Sequence, residues 1–484
     1  MTRQFALLIA AVTVAVGNGI GCARITTLGE NDARPGDAAG PDANASQPEA
    51  PPAPVGSVDA APGALPGGCV NLECQQAPCA GSAKTSLSGT AFAPNGTLPL
   101  YNVRVYVPNG PLAPFPAGVS CDRCGARASG KPLASAISDA EGKFKLTDVP
   151  AGHDIPLVLQ VGKWRRRVTI PTVAACQDNP ITDANLTRLP RNRQEGDMPK
   201  VAVTTGACDQ LGCLFPKLGV DAAEFGVAGD DKAIHYYKGT TESSMAAANL
   251  FGPPNMTAAS DLWNDEAQLG KYDLTLLSCE CSENLATKTT ASFTAMNNYL
   301  NKGGRIFGTD YSYVWLKYSP DPALRAAVPF GPPPAALPGK SLTVATTFPK
   351  GKALADWMKF VDPTVTYGQI VADTVFVHIH SVMAPPALTW ASSPTVPFTS
   401  PRDAGGPQEP RIVTVNTPAG LPADMQCGRA THLDLHITEG NLSLTGGSKF
   451  PDECGTLSKG EEALAFLLLD LASCIQDDTR PPIP

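Results

Sequence analysis

Downstream of its N-terminal stretch, this 484-residue chain lacks any run of about 18 apolar residues, so nothing there is fit to cross a bilayer as a helix. It also lacks a broad basic field. With 37 Lys and Arg against 45 Asp and Glu and a net charge of -8, it is not expected to bind nucleic acid. Its one basic cluster, Lys163-Trp164-Arg165-Arg166-Arg167, falls in an alternating strand pattern and reads as a solvated strand face. Cysteine, by contrast, is plentiful. Fourteen in an exported chain point to disulfides, and setting Cys22 aside leaves an odd number, so at least one thiol is free or pairs between chains.

Export is read from MTRQFALLIAAVTVAVGNGIGC, in which one cation, Arg3, precedes an apolar stretch from Phe5 to Val16 and then small residues. Gly19-Ile20-Gly21-Cys22 resembles the lipobox of bacterial lipoproteins, although Gly19 stands where that motif has an aliphatic residue. The resemblance implies a lipid-modified Cys22 and, with no aspartate following, the outer membrane, with simple secretion as the alternative. The expected partners are therefore the membrane, through that anchor, and an envelope protein or carbohydrate. From Glu30 to Gly68 there is almost no large apolar side chain, so residues 23–68 read as a disordered tether. Cys69, Cys74 and Cys79 follow at five-residue spacing in a junction, 69–85, where disulfides to the neighbouring domain are a better reading than a metal knuckle.

Residues 86–177 alternate short apolar-patterned runs with Gly, Pro, Asn and Asp, which predicts an antiparallel β-sandwich. Asp139-Ala140-Glu141-Gly142 reads as a hairpin turn. "SGTAFAPNG", "NVRVYVPN" and "SDAEGKFKLTDVPAG" resemble the carboxypeptidase regulatory-like or collagen-adhesin B-type module. That resemblance implies a structural or adhesive unit without an active site. Cys121 and Cys124 lie in a Pro- and Gly-rich loop and are expected to bridge structurally, with Cys176 a candidate partner. Residues 178–198 read as a linker.

From 199 to 475 strand patterns alternate with helical ones, predicting an α/β doubly wound, mainly parallel sheet with an inserted or edge β segment, followed by a tail at 476–484. The multidomain fold class is thus a sandwich plus this sheet. Its functional edge is expected at the carboxyl ends of the strands. "KVAVTTG", "YDLTLLSCE", "NYLNKGGRIFGTDY" and "GRATHLDLH" resemble, in that order, the class I glutamine amidotransferase-like fold and its trehalose-utilisation-type relatives. The family places a catalytic cysteine in a G-x-C-x-G elbow. Here the matching stretch is Gly308-Thr309-Asp310-Tyr311-Ser312, so Asp310 replaces the nucleophile and the second glycine is missing. The resemblance leaves Asp310 and His436 as weak catalytic candidates and makes glutaminase activity unexpected.

Cys279 and Cys281, after "YDLTLL", pose the remaining cysteine question. Glu280 and Glu283 nearby would raise a thiol pKa rather than lower it. Cys208 follows its strand as Cys279 follows its own, while Cys208 and Cys213 on one helix would lie about 8 Å apart, too far to bridge. Two crossed pairs, from Cys208 and Cys213 to Cys279 and Cys281, are therefore expected. His378 and His380 share one strand face, as do His432, Asp434 and His436 on another, a donor set suited to zinc. The leading expectation is a non-catalytic binding or structural lipoprotein of the cell envelope without a cofactor. The alternative is a zinc-assisted hydrolase using those histidine strands and Asp310.

Overall fold

The structure, a computed structural model, describes residues 68–483 other than 127, 210, 241–251, 332–336, 395–407 and 437–449. The signal, Cys22 and nearly all of the tether lie outside the described residues. Everything below belongs to the unit Leu65–Pro484. Its first strands are β1 Ser86–Thr90, β2 Arg104–Pro108, β3 Pro132–Ile137, β4 Lys143–Thr147, β5 Gly152–Val161, β6 Trp164–Val173 and β7 Asp178–Ile181. They form two sheets, ordered β4-β1-β7 and β3-β2-β5-β6. The sequence KFKLT of β4 shows why: Phe144 and Leu146 are buried while the three alternate residues face solvent. Leu87 and Phe144 of one sheet share a core with Val105, Leu157 and Leu159 of the other. The turn before β4 is held by Asp139 Oδ1, which accepts from the Glu141 and Lys143 amides, with Gly142 at φ +75°.

Two sequence expectations change here. Residues 178–198 are not a linker: β7 pairs in parallel with β1, and Arg188 grips Glu195 through two bonds of 2.6 and 2.7 Å. The basic cluster is not a solvated face either. Arg165 is buried against Asp197, and Lys163 reaches Asp273 beside the large sheet at 2.6 Å, leaving Arg167 exposed.

The large sheet contains β8 Val201–Thr204, β9 Phe225–Val227, β10 Ile234–Lys238, β11 Thr257–Ala258, β12 Leu274–Leu277, β13 Arg305–Thr309, β14 Leu337–Val344, β15 Gln369–Val375, β16 Ala387–Pro394, β17 Gln408–Thr417, β18 Gly428–Leu433 and β19 Leu435–His436. Its order is β11-β10-β8-β12-β13-β18-β17-β16-β14-β15-β19, with β9 beside β10. Pairing is parallel from β11 to β18 and antiparallel beyond. Strands β8, β12 and β13 are buried along their whole length, which explains their unbroken apolar runs. Strands β14 to β17 are an insertion, because β13 and β18 on either side of them in sequence pair directly.

Helix Thr290–Asn301 buries Phe293, Met296, Tyr299 and Leu300 behind a cap in which Thr289 accepts from the Ser292 amide. Helix Lys459–Ala472 starts at a capping box of Ser458 and Glu461. Helix Pro349–Val361 buries Leu354 and Trp357 and leaves Phe360 45% exposed. Residues 476–483 are more than a tail, since Asp478 is buried against Arg429 and Lys350. No helix among the described residues is long and apolar enough to cross a membrane.

Six disulfides tie the unit together: Cys69 to Cys74, Cys79 to Cys176, Cys121 to Cys427, Cys124 to Cys474, Cys208 to Cys281 and Cys213 to Cys454. Such a set fits an oxidising compartment outside the cytosol. The crossed pairing is corrected: Cys213 reaches Cys454, and Cys279 is free and buried. Cys281 sits at φ +67°, a left-handed turn that swings its sulfur to Cys208 and leaves Cys279 facing inward. Cys121 and Cys124 join the large-sheet region rather than Cys176.

Candidate functional site

The carboxyl ends of the parallel strands converge on a buried polar cluster. Asp209 follows β8, Cys279 follows β12, Asp310 follows β13, and His436 ends β19, which lies just beyond β18 in sequence. Gly206 makes the approach possible, because a Cβ there would lie 2.1 Å from the Cys279 carbonyl oxygen. The turn carrying Asp310 is tight although Ser312, not glycine, closes it. Asp310 is held at φ +40°, and a Cβ on Gly308 would meet that of Ser312 at 2.9 Å. The Ser312 hydroxyl donates to the Leu277 carbonyl at 2.6 Å and locks the turn to β12. A non-glycine residue in this left-handed region costs about 1 kcal/mol or more and persists where its surroundings determine it. The turn is thus tight, with an aspartate at its apex.

Asp310 Oδ2 is the hub. It lies 3.2 Å from Cys279 Sγ and 3.2 Å from His436 Nε2. Its Oδ1 lies 3.5 Å from His378 Nδ1, which bonds to Asp434 Oδ1 at 2.7 Å. Asp434 is fixed in turn, since its Oδ2 accepts from the His378 and Ile379 amides at 2.8 and 3.2 Å. Burial pushes the Asp434 carboxyl up, but the bond from His378 and the charges of His378, His432 and Arg411 outweigh it and hold the pKa below the usual carboxylate range. Asp209 goes the other way. Burial lifts its pKa to about 6, with Asp310 adding to the rise against the opposing pull of His436.

Cys279 is no nucleophile in this setting. Burial first, then Asp310 and Asp209, push its thiol well above the ordinary range, which disfavours the thiolate as long as no cation is bound. Glu280 and Glu283, expected to be the cause, are engaged elsewhere. Glu280 binds Lys288, and Glu283 binds Tyr313, Lys317 and Tyr318.

The histidines divide. His378 and Asp434 gather with Asp310, and His436 gathers with Asp310 and Cys279. His380 faces outward, its side chain 52% exposed beside Glu409. His432 is buried against Phe330 and Tyr313, and burial drops its pKa to about 4. Sequence reasoning missed Asp209, whose one signal was that it follows β8 as Cys279 follows β12. An open cavity of about 1220 Å³ lies at the opposite, amino ends of the strands, lined among others by Phe115, Lys163, Met198 and Lys302. Its charges are satisfied internally, Lys163 by Asp273 and Lys302 by Glu266, so it offers no comparable chemistry.

Fold and site together define a β-rich, disulfide-bonded multidomain chain with a buried carboxylate, thiol and imidazole cluster at one sheet edge. No protein-family model and no curated protein matches it. Among solved structures it is similar to a ThuA-like protein from Bacteroides uniformis, at 13% identity and a TM-score of 0.30, covering 56% of this chain and 89% of that one. It is also similar to a chain of a type II cohesin-X-dockerin complex with a C-terminal interface mutation from Acetivibrio cellulolyticus, at 14% identity and a TM-score of 0.15, covering 26% of this chain and 78% of that one. The N-terminal interface mutant of the same complex gives 16% identity and a TM-score of 0.16, covering 28% of this chain and 85% of that one.

Proposed function

We propose that this chain is a cell-envelope lipoprotein with a non-catalytic binding or structural role. In this reading the two smaller sheets are a carboxypeptidase regulatory-like sandwich, and the large sheet is a glutamine amidotransferase-like domain that has lost its nucleophile. One observation carries it: an aspartate stands at the apex of the turn after β13, while the neighbouring thiol is buried, its pKa pushed up by burial and by Asp310 and Asp209. An aspartate cannot form the thioester that glutamine hydrolysis requires. The disulfides and the lipobox-like Gly19-Ile20-Gly21-Cys22 support the envelope address.

The test has two arms. Purified protein incubated with glutamine is expected to release no ammonia above a heat-treated control, and steady release abolished by Asp310→Ala would sink the non-catalytic reading. Labelled palmitate fed to expressing cells is expected to enter the wild-type chain and not Cys22→Ala. Equal labelling of both would remove the lipid anchor.

A further inference from the structure

We propose that Asp209, Cys279, Asp310 and His436 form a site for one divalent transition-metal ion of the zinc class. This deepens the binding reading above by naming what the sheet edge holds, and rests on it only in taking that edge as non-glutaminolytic. The donor set differs from the one suggested by histidine spacing, as it takes one residue from each of four converging segments.

The spacing of the donor atoms carries the argument. Zinc binds sulfur at about 2.3 Å and imidazole nitrogen or carboxylate oxygen at about 2.0–2.2 Å, so tetrahedral donors lie roughly 3.3–3.8 Å from one another. Cys279 Sγ to Asp310 Oδ2 is 3.2 Å, Asp310 Oδ2 to His436 Nε2 is 3.2 Å, and His436 Nε2 to Asp209 Oδ2 is 3.9 Å. The first three of these residues offer atoms all within 4.8 Å of one another.

Asp209 supplies an independent reason. Its side chain is 2% exposed, and its Oδ2, which points toward His436, has no hydrogen-bond partner among the described residues. A plain hydrogen-bonded cluster would have Asp310 Oδ2 accept from the thiol and the imidazole, and would leave that second carboxylate oxygen buried with nothing. A cation bound between the four donors satisfies all of them at once.

The surroundings fit a metal. The Cys281 amide lies 3.3 Å from Cys279 Sγ and donates to it, the kind of outer bond that steadies a thiolate ligand. The His378–Asp434 pair stands behind Asp310 Oδ1, with His378 Nδ1 3.5 Å from it. A thiolate with an imidazole selects zinc-class ions over calcium or magnesium, which prefer all-oxygen shells. His436, its side chain 14% exposed, marks the side open to solvent.

Cobalt(II) is the probe. It would be titrated into the full chain carrying Cys22→Ser, in which Cys279 is the one thiol outside the six disulfides. The expected result is one equivalent bound, with tetrahedral visible bands and a thiolate-to-cobalt charge-transfer band in the near ultraviolet. Cys279→Ser is expected to abolish the charge-transfer band. Asp209→Asn should weaken binding by more than about a hundredfold, beyond the roughly 10–100-fold that losing an outer-shell partner costs. His380→Ala should change neither. A protein with Cys279 shown to be reduced by thiol counting, yet lacking the charge-transfer band, would overturn the proposal, and so would unchanged affinity in Asp209→Asn. Should Cys279→Ser fail to fold, the parent spectrum decides alone. The spectrum and ammonia release are separate readouts, so failure of the metal site leaves the non-glutaminolytic reading standing, and the reverse.

Discussion

At the amino ends of the parallel strands, Arg429 binds Asp470 and Asp478 at 2.8 and 2.7 Å, and Lys350 holds the same two carboxylates at 2.7 Å each. Arg305 caps the neighbouring strand start by donating to the carbonyls of Leu471 and Ser473. At the carboxyl ends the buried acids Asp209, Asp310 and Asp434 face histidines and a thiol, with Arg411 no nearer to Asp434 than 4.0 Å. The first arrangement balances buried charge with groups that keep theirs at every physiological pH. The second leaves the balance to groups that gain or lose a proton, or to a bound cation. One end of the sheet therefore reads as built for stability and the other for exchange, as expected for ligand sites at strand carboxyl ends.

The largest effect should come from breaking the amino end. Arg429→Met removes one of the two cations that hold two buried carboxylates and leaves Lys350 alone with both, and we expect a loss of about 3–5 kcal/mol in denaturant-induced unfolding. The matching change at the other end, Asp310→Asn, removes a charge whose ion pairs among the described residues are with histidines, and should cost no more than about 1 kcal/mol in the metal-free chain. Equal losses would erase the distinction. Next in size is the disulfide from Cys121 to Cys427, which ties the loop after β2 to the start of β18 across a separation of 306 residues. Replacing both cysteines by serine should cost roughly 2–4 kcal/mol. The visible cobalt bands should survive, because this bond lies at the amino end.

Much of this was legible in the sequence where a local signal existed. Strands β8, β12 and β13 announced themselves as short unbroken apolar runs, and helix Lys459–Ala472 through Ser458 and Glu461. That Asp310 stands in the turn after β13 could be read directly. The pairing of Cys124 with Cys474 could not, since no periodicity links residues 350 apart. Cys279 was misassigned for a geometric reason. Two residues two apart on a strand share a face, but β12 ends at Leu277 and the left-handed Cys281 turns away, so the pair splits into one bridge and one inward thiol. The tightness of the turn was also hidden, because Ser312 keeps it closed through a hydroxyl bond to the Leu277 carbonyl that no local pattern announces.

The smallest effect is a slope in pH, and it sharpens the comparison through two histidines of similar pKa. Burial lowers both His235 and His432 to about 4. His235, near the amino end of β10, has both ring nitrogens bonded, to the Tyr272 hydroxyl at 2.8 Å and the Asp230 carbonyl at 2.9 Å. His432 has an Nε2 with no hydrogen-bond partner among the described residues. In the unfolded chain a histidine titrates near 6.5, so between pH 6.5 and about 4 the unfolded state binds a proton that folded His432 refuses. Stability is therefore lost as pH falls through that window, by about 2 kcal/mol at pH 5 from this one group. Urea unfolding of His432→Gln at pH 7.5 and 5 should show a pH difference smaller than wild type by that amount, with little loss at pH 7.5. His235→Gln should flatten the slope too, but also lose stability at pH 7.5, because it breaks two buried bonds. Identical behaviour of the two variants would mean that the unpartnered nitrogen at the carboxyl edge has no significance of its own.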